Sequence, residues 1–176
     1  MKLIIRYLGI FIIALSTPLT QASDNESKFK VKLHSLNGSG VTGEAKIKIK
    51  HGKTLKIELE VKGLEPGKLH PQHIHGLTDL NKNATCPNIS ADTNADGIIS
   101  VGEGLPFYGP IVLALPPFDL VAANGELEYE AKFRINPSSI QPLEKRTIVV
   151  HGMTVNGVYI PSLPVACGQI VLKKND

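Results

Sequence analysis

Residues 45–62 read AKIKIKHGKTLKIELEVK, and their pattern indicates the class of fold. Apolar residues alternate with charged ones on both sides of His51-Gly52-Lys53. Alternation with a period of two is typical of strands that bury one face and expose the other. A short segment that contains glycine between two such strands predicts a hairpin turn. The stretch therefore predicts two adjacent antiparallel strands.

Similar patterns recur on both sides of this hairpin. No segment shows convincing helical periodicity, and glycine and proline are frequent between the alternating stretches. About eight strands separated by turn signals predict an all-β antiparallel sandwich or flattened barrel. The further strands are expected within residues 28–33, 69–76, 111–115, 126–135, 147–151 and 166–172.

Composition limits the classes of function. The chain has 176 residues, of which 42% are hydrophobic, which suits one domain with a real core. Its formal net charge is +3, and the sequence has no block of like charges. Nucleic-acid-binding proteins usually carry a strongly basic face, so no nucleic-acid partner is predicted.

The first residues have the pattern of a secretory signal. Residues 8–15 (LGIFIIAL) form an apolar core behind a basic head, and Thr20-Gln21-Ala22 supplies the small residues of a cleavage site. We expect a signal peptide over 1–22 and a mature domain over 23–176 that is periplasmic or extracellular. The alternative is an uncleaved anchor, but the apolar run is short for a bilayer span. No later segment is expected to span a membrane.

The predicted export bears on the state of the two cysteines. An oxidising compartment permits a disulfide between Cys86 and Cys167, which lie 81 positions apart. In the chain-entropy model, closing so long a loop contributes about 4–5 kcal/mol to stability. The alternative is two buried free thiols, and we favour the disulfide.

Histidines are densest in LHPQHIHG, residues 69–76. Residues two apart on a strand face the same side, so His73 and His75 can offer imidazoles to one metal ion. His151, which follows the apolar run 148–150, is the best candidate for a third ligand. Three imidazoles suit copper or zinc, and His70 is positioned to brace a ligand by a hydrogen bond. The alternative is a pair of ordinary surface histidines.

Several stretches together resemble the copper–zinc superoxide dismutases. They occur in the order of that family: GLEPGKLH at 63–70 followed by HIH at 73–75, RTIVVH at 146–151, and VACGQI at 165–170. The resemblance implies a Greek-key β-barrel in which copper cycles between two oxidation states to dismute superoxide. It implies copper ligation by His73, His75 and His151, a structural role for His70, and a disulfide between Cys86 and Cys167.

The sequence also departs from the pattern of that family. No histidine lies between His75 and His151, so the imidazolate that joins copper to zinc has no counterpart, and neither do the zinc-only histidines. Pro164 stands where the family places the arginine that guides superoxide. The resemblance therefore implies a copper site without zinc, and fast dismutation is not expected, because charge steering is what speeds such encounters.

A calcium motif lies in the loop predicted over 77–110. Residues 92–103, DTNADGIISVGE, match the EF-hand loop D-x-N-x-D-G with glutamate at position twelve. The alternative is a turn rich in Asn and Asp. The expected calcium ligands are Asp92, Asn94, Asp96, the backbone carbonyl of Ile98, Ser100 and Glu103.

The surroundings of this motif differ from those of an ordinary EF-hand. Ile99, at position eight, is expected to pack into the core. Gly104, Pro106 and Gly109-Pro110 oppose a long exit helix, so we expect a single loop inserted between strands. The segment lies where the resembled family carries its zinc loop, and we expect calcium to order it.

Three functions remain open from the sequence. The first, which we favour, is an exported superoxide-dismutase-like protein that binds copper and calcium without efficient turnover. The second is a copper-only superoxide dismutase. The third is a structural domain stabilised by calcium, with a degenerate copper site. The implied partners are metal ions, superoxide, and a protein that donates or accepts copper.

Overall fold

The structure is a computed structural model that describes residues 26–173. The predicted signal peptide, 1–22, lies outside the described residues. Within them, neither helix has the length and apolar character needed to cross a bilayer. The strands are β1 Glu26–Ser35, β2 Thr42–Lys50, β3 Thr54–Lys62, β4 Gln72–His75, β5 Ile111–Ala114, β6 Glu126–Arg134, β7 Thr147–Val155 and β8 Val158–Leu172; the helices are α1 Val101–Tyr108 and α2 Pro137–Ile140.

The eight strands form one antiparallel sheet in the order β5-β4-β7-β8-β1-β2-β3-β6. The hairpin β2–β3 pairs in register from Lys50 opposite Thr54 to Thr42 opposite Lys62. Because β6 lies beside β3, and β7 beside β4, three connections (β3 to β4, β5 to β6 and β6 to β7) cross from one half of the sheet to the other. This arrangement confirms the prediction of an all-β antiparallel fold with Greek-key connections.

The sheet curls around a single apolar core. Ile47 and Ile57 come from the half that contains β2 and β3, and they share one buried cluster with Ile74 and Ile148 from β4 and β7. All four side chains are fully buried. Alternation in the sequence thus becomes an inner apolar face and an outer charged face.

The hairpin β7–β8 is longer than the sequence predicts. The sequence predicts a strand over 147–151 that ends at His151, but β7 continues to Val155 and β8 begins at Val158. The turn is Asn156-Gly157, and both residues have positive φ, 51° and 80°. Asn-Gly is a strong hairpin signal, and it brings 158–165 into the strand that follows.

The acidic segment leads into a short helix, α1, which the sequence analysis did not predict, and this helix is only eight residues long. Ser100 caps α1: its hydroxyl accepts from the N–H of Glu103, whose carboxylate accepts from the N–H of Ser100. This capping box stabilises the first turn. Pro106 has no N–H to donate within the helix, and Gly109, with φ 76°, ends the helix after eight residues.

Candidate metal centre

Two neighbouring strands bring three histidines together on the outer face of the sheet. β4 carries His73 and His75, and β7 carries His151 next to an irregularity in its pairing. The ring centroid of His73 lies 5.1 Å from that of His151 and 5.7 Å from that of His75. One nitrogen from each ring lies within 4.8 Å of the other two. This group has the composition and spacing to hold a metal ion.

Hydrogen bonds set which nitrogen of each ring is available. The Nδ1–H of His75 donates to the carbonyl of Gly109 at 2.9 Å, and the Nδ1–H of His151 donates to the carbonyl of Ser162 at 2.8 Å. The Nε2 atom of each ring therefore keeps its lone pair. These two Nε2 atoms and Nδ1 of His73 are buried and have no hydrogen-bond partner among the described residues.

Three unpartnered ring nitrogens at one point are costly without a common partner. A buried polar atom that makes no hydrogen bond costs about 1–3 kcal/mol. A metal ion would satisfy all three nitrogens at once. An all-imidazole donor set suits copper or zinc and excludes calcium and magnesium, which take oxygen ligands. The residues present therefore fit the copper that the sequence resemblance implies.

Burial keeps these imidazoles neutral. Desolvation lowers the pKa of His73 to about 4 and that of His151 to about 3, and it also lowers the pKa of His75. Nearby imidazoles contribute a smaller effect of the same sign at His73 and His151. Neutral imidazole is the form that binds a metal ion, so the site stays ready for metal in mildly acidic surroundings.

These pKa values predict that acid destabilises the metal-free protein. An unfolded histidine has a pKa near 6.5, so below that pH the unfolded chain binds protons that His73 and His151 in the folded chain do not. The free energy of unfolding is therefore highest, as far as these two histidines affect it, above pH 6.5. It declines as the pH falls towards 4, with a slope of up to about 1.4 kcal/mol per pH unit for each histidine. Urea midpoints at pH 7 and pH 5 measure the effect.

The matched variant for this prediction is His151→Gln. It removes one of the buried imidazoles, so its stability should depend less on pH than that of the wild type. An identical pH dependence in the two proteins would show that other groups control the acid response.

His70 lies behind the group rather than in it. Its ring is buried, with Nδ1 3.0 Å from the carbonyl oxygen of His151 and Nε2 3.1 Å from the carbonyl oxygen of Glu65. The ring thus ties the backbone of β7 to the turn before β4. Gly152, with φ 108°, lies between His70 and Tyr159, and a Cβ atom at this glycine would fall 2.9 Å from Nδ1 of His70. The site geometry therefore depends on a glycine next to His151.

The loop over 77–110 forms one wall of the site, and Phe118, which follows β5, forms another. Tyr108 of α1 packs edge-on against His75 with a centroid distance of 4.8 Å, and Phe118 packs against His73 at 5.7 Å. Above the rings is a cavity of about 500 Å³. None of the described residues that line it is Lys, Arg, Asp or Glu. The other lining residues are Pro71, Val101, Leu105, Ile111, Pro161 and Ser162.

The disulfide predicted between Cys86 and Cys167 is present, with an S–S distance of 2.01 Å. It joins the 77–110 loop to β8. Cys167 packs with Tyr108 and Val149 in a small cluster of its own. The disulfide therefore supports the helix that covers the histidines.

Asn37 makes tertiary hydrogen bonds that the sequence analysis did not predict. Its side-chain carbonyl accepts from the N–H of Ile99 at 2.7 Å, and its amide group donates to the carbonyls of Ile99 and Pro164 at 3.0 and 2.9 Å. Asn37 thus connects the turn after β1 with the acidic segment and with β8. The partners lie 62 and 127 residues away, so no local pattern reveals these bonds.

The acidic segment is folded as a tight turn. Asp92 accepts from the N–H of Gly97 at 2.8 Å, and Asp96 accepts from the N–H of Ile98 at 2.8 Å. Ile99 is buried, with 2% of its surface exposed, as the sequence predicts for position eight. The calcium ligation predicted for this segment stays a prediction.

Glu103 is held by the segment itself. Its carboxylate accepts from the backbone N–H and the hydroxyl of Ser100, and from the same two groups of Thr93, at 2.8–2.9 Å. These hydrogen bonds, led by the backbone N–H of Ser100, lower the pKa of Glu103 to about 2. Within residues 26–173, the histidine trio is the one group of three or more His, Cys, Asp or Glu side chains gathered closely enough for a metal ion.

Among comparisons with known proteins, only the comparison with solved structures found similar proteins. No family model matches the chain, and no curated protein sequence matches it. Superoxide dismutase 5 from Candida albicans, in a Cu(II) form, has 16% sequence identity and a TM-score of 0.44, with 86% of this chain and 95% of that chain covered. A variant of a superoxide-dismutase-like protein from Bacillus subtilis has 19% identity and a TM-score of 0.43, with 80% and 95% covered.

Proposed function

We propose that this is an exported copper-binding protein whose copper site consists of His73, His75 and His151. The observation that carries the proposal is the convergence of three imidazoles, each with one nitrogen within 4.8 Å of the other two, and each with a buried ring nitrogen that has no hydrogen-bond partner among the described residues. Export is supported by the signal pattern over 1–22, which leaves 23–176 as the mature domain, and by a disulfide of the kind that persists in oxidising compartments.

His73, His75 and His151 would hold copper at the base of the apolar cavity that they line. An incoming ligand or a partner protein would approach the metal through this cavity. Bound there, copper would supply a redox-active centre able to accept or donate one electron. Because no described residue lining the cavity is charged, the cavity lacks the cationic side chains that would steer the superoxide anion towards the metal. This favours copper binding and transfer over fast dismutation.

Metal analysis of the native exported protein tests the proposal. We expect one copper ion per chain by native mass spectrometry, and nitrogen hyperfine structure from three imidazoles in the spectrum of the Cu²⁺ form. Superoxide consumption should be far below that of a dismutase. Consumption at the dismutase level that His73→Ala abolishes would make the protein an enzyme, and absence of tight copper binding would refute the proposal.

We further propose that calcium binds the acidic segment and stabilises the protein. At a concentration one hundred times its Kd, calcium would add about 2.7 kcal/mol, which corresponds to a melting-temperature increase of roughly 5–10 °C for a chain of this size. The support is the complete EF-hand pattern over 92–103 and the turn already formed there. Differential scanning calorimetry with calcium or with chelator measures the shift.

The variants Asp96→Ala and Glu103→Ala should each remove the calcium-dependent shift. Glu103→Ala also removes part of the cap of α1, so each variant is compared with itself, with and without calcium. Asp119→Ala, an exposed acid outside the segment, is the control and should keep the full shift. A wild-type melting temperature that ignores calcium would refute the site.

A further inference from the structure

Four lysines stand in one row across the outer face of the sheet. Lys28 of β1 lies opposite Lys48 of β2, Lys48 lies opposite Lys56 of β3, and Lys56 lies opposite Lys132 of β6. With strands about 4.8 Å apart, the row is about 14 Å long. Like charges directly opposite each other on a sheet are destabilising. The four ammonium groups therefore repel one another wherever no carboxylate lies between them.

More cations lie at the same end of the sheet. Lys50 and Arg134 follow in the next row, where both flank Thr54, and Lys53 is in the hairpin turn between β2 and β3. We call this set the basic end, and its members are Lys28, Lys48, Lys50, Lys53, Lys56, Lys132 and Arg134.

Carboxylates neutralise only part of the basic end. Glu26 pairs with Lys28 at 3.4 Å and with Lys50 at 3.3 Å. Lys56 pairs with Glu58 and Glu130, both at 2.8 Å. Within the described part of the chain, Lys48 and Lys132 form no ion pair. An excess of positive charge therefore remains, centred on these two lysines.

The basic end lies at the opposite end of the sheet from the histidines. β1 begins at Glu26, opposite Lys50, and its other end brings His34 opposite Cys167 of β8. Pro164, three residues before Cys167, pairs with His151.

We propose that the basic end docks on an anionic phospholipid membrane surface, with the histidine cavity turned away from the lipid. The cations cover two rows of the sheet and a hairpin turn, so they occupy an area, as a bilayer surface requires, and not a single line. Lysines near an anionic bilayer each contribute about 1 kcal/mol to binding.

Vesicle co-sedimentation of the full chain tests the proposal. The two vesicle types are pure phosphatidylcholine and phosphatidylcholine with about 30% phosphatidylglycerol, a fraction that gives an anionic surface. The wild type should bind the anionic vesicles more tightly, and high salt should reduce that binding. The variant Lys48→Gln/Lys132→Gln should bind them roughly 30-fold more weakly, because it loses two lysine contributions.

The control is Lys68→Gln/Lys82→Gln, which removes two exposed lysines outside the basic end and should bind like the wild type. Equal binding to neutral vesicles would refute the proposal, as would equal losses in the two variants or a preference for double-stranded DNA over vesicles. The basic-end variant should bind copper as the wild type does and should melt no lower. A failure of membrane binding is therefore distinct from a failure of the copper site.

Discussion

The variant His151→Gln is expected to lose at least about 100-fold in copper affinity, because even residues that only orient a metal ligand cost 10–100-fold when replaced. Glutamine keeps most of the volume of the histidine side chain and can still donate a hydrogen bond to the carbonyl of Ser162. The packing around residue 151 should therefore remain. The aromatic nitrogen that faces the metal is lost. Competition with a chromophoric copper chelator, for Cu⁺ and Cu²⁺ separately, measures the affinity.

His34→Gln is the matched control for this experiment. His34 is an exposed histidine on β1, outside the trio, and its replacement should leave copper affinity within twofold of the wild type. If His151→Gln binds copper as tightly as the wild type while His73→Gln does not, the metal site does not include β7 and the three-histidine assignment is wrong.

Removal of the disulfide should have the largest effect on stability. The double variant Cys86→Ala/Cys167→Ala opens a link that spans 81 residues, and the chain-entropy model gives a loss of about 4.5 kcal/mol in the free energy of unfolding. The lost link also held the loop against β8 beside Tyr108. Urea denaturation measures the loss, and faster hydrogen exchange should appear first in α1.

Reduction of the wild-type protein is the matched comparison for the double variant. Reduced wild type and the variant should have similar urea midpoints, both well below that of the oxidised protein. A midpoint for the variant within experimental error of the oxidised protein would contradict the prediction. In that case other contacts, such as those of Asn37 with Ile99 and Pro164, would be sufficient to hold the loop.

Strands with one buried and one exposed face were predictable because alternation is a local signal. β2, β3 and β6 follow it almost residue by residue. α1 was missed because its eight residues contain two glycines and a proline, and the capping box of Ser100 and Glu103 outweighed these propensities. The length of the β7–β8 hairpin was missed because its short turn, Asn156-Gly157, follows a stretch without clear alternation.

The candidate metal site also combines features that the sequence predicts with features that it does not. The pairing of His73 with His75 follows from the period of a strand. His151 is 76 residues beyond His75 in the sequence, and only the order of the motifs indicated that the two strands meet. The hydrogen bonds from His75 to the carbonyl of Gly109 and from His151 to the carbonyl of Ser162 could not be predicted. Gly109 lies 34 residues from His75, and Ser162 meets His151 only because the β7–β8 hairpin is longer than the sequence predicts.

Gly152 has a consequence for how sequence variation at this site should be interpreted. The residue donates nothing to a metal ion, yet any side chain there would push against the His70 ring and Tyr159, and through His70 against the carbonyl of His151. In a saturation mutagenesis library selected for copper retention, position 152 should tolerate as few amino acids as a ligand position. From the substitution tolerances alone, Gly152 would be mistaken for a fourth metal ligand.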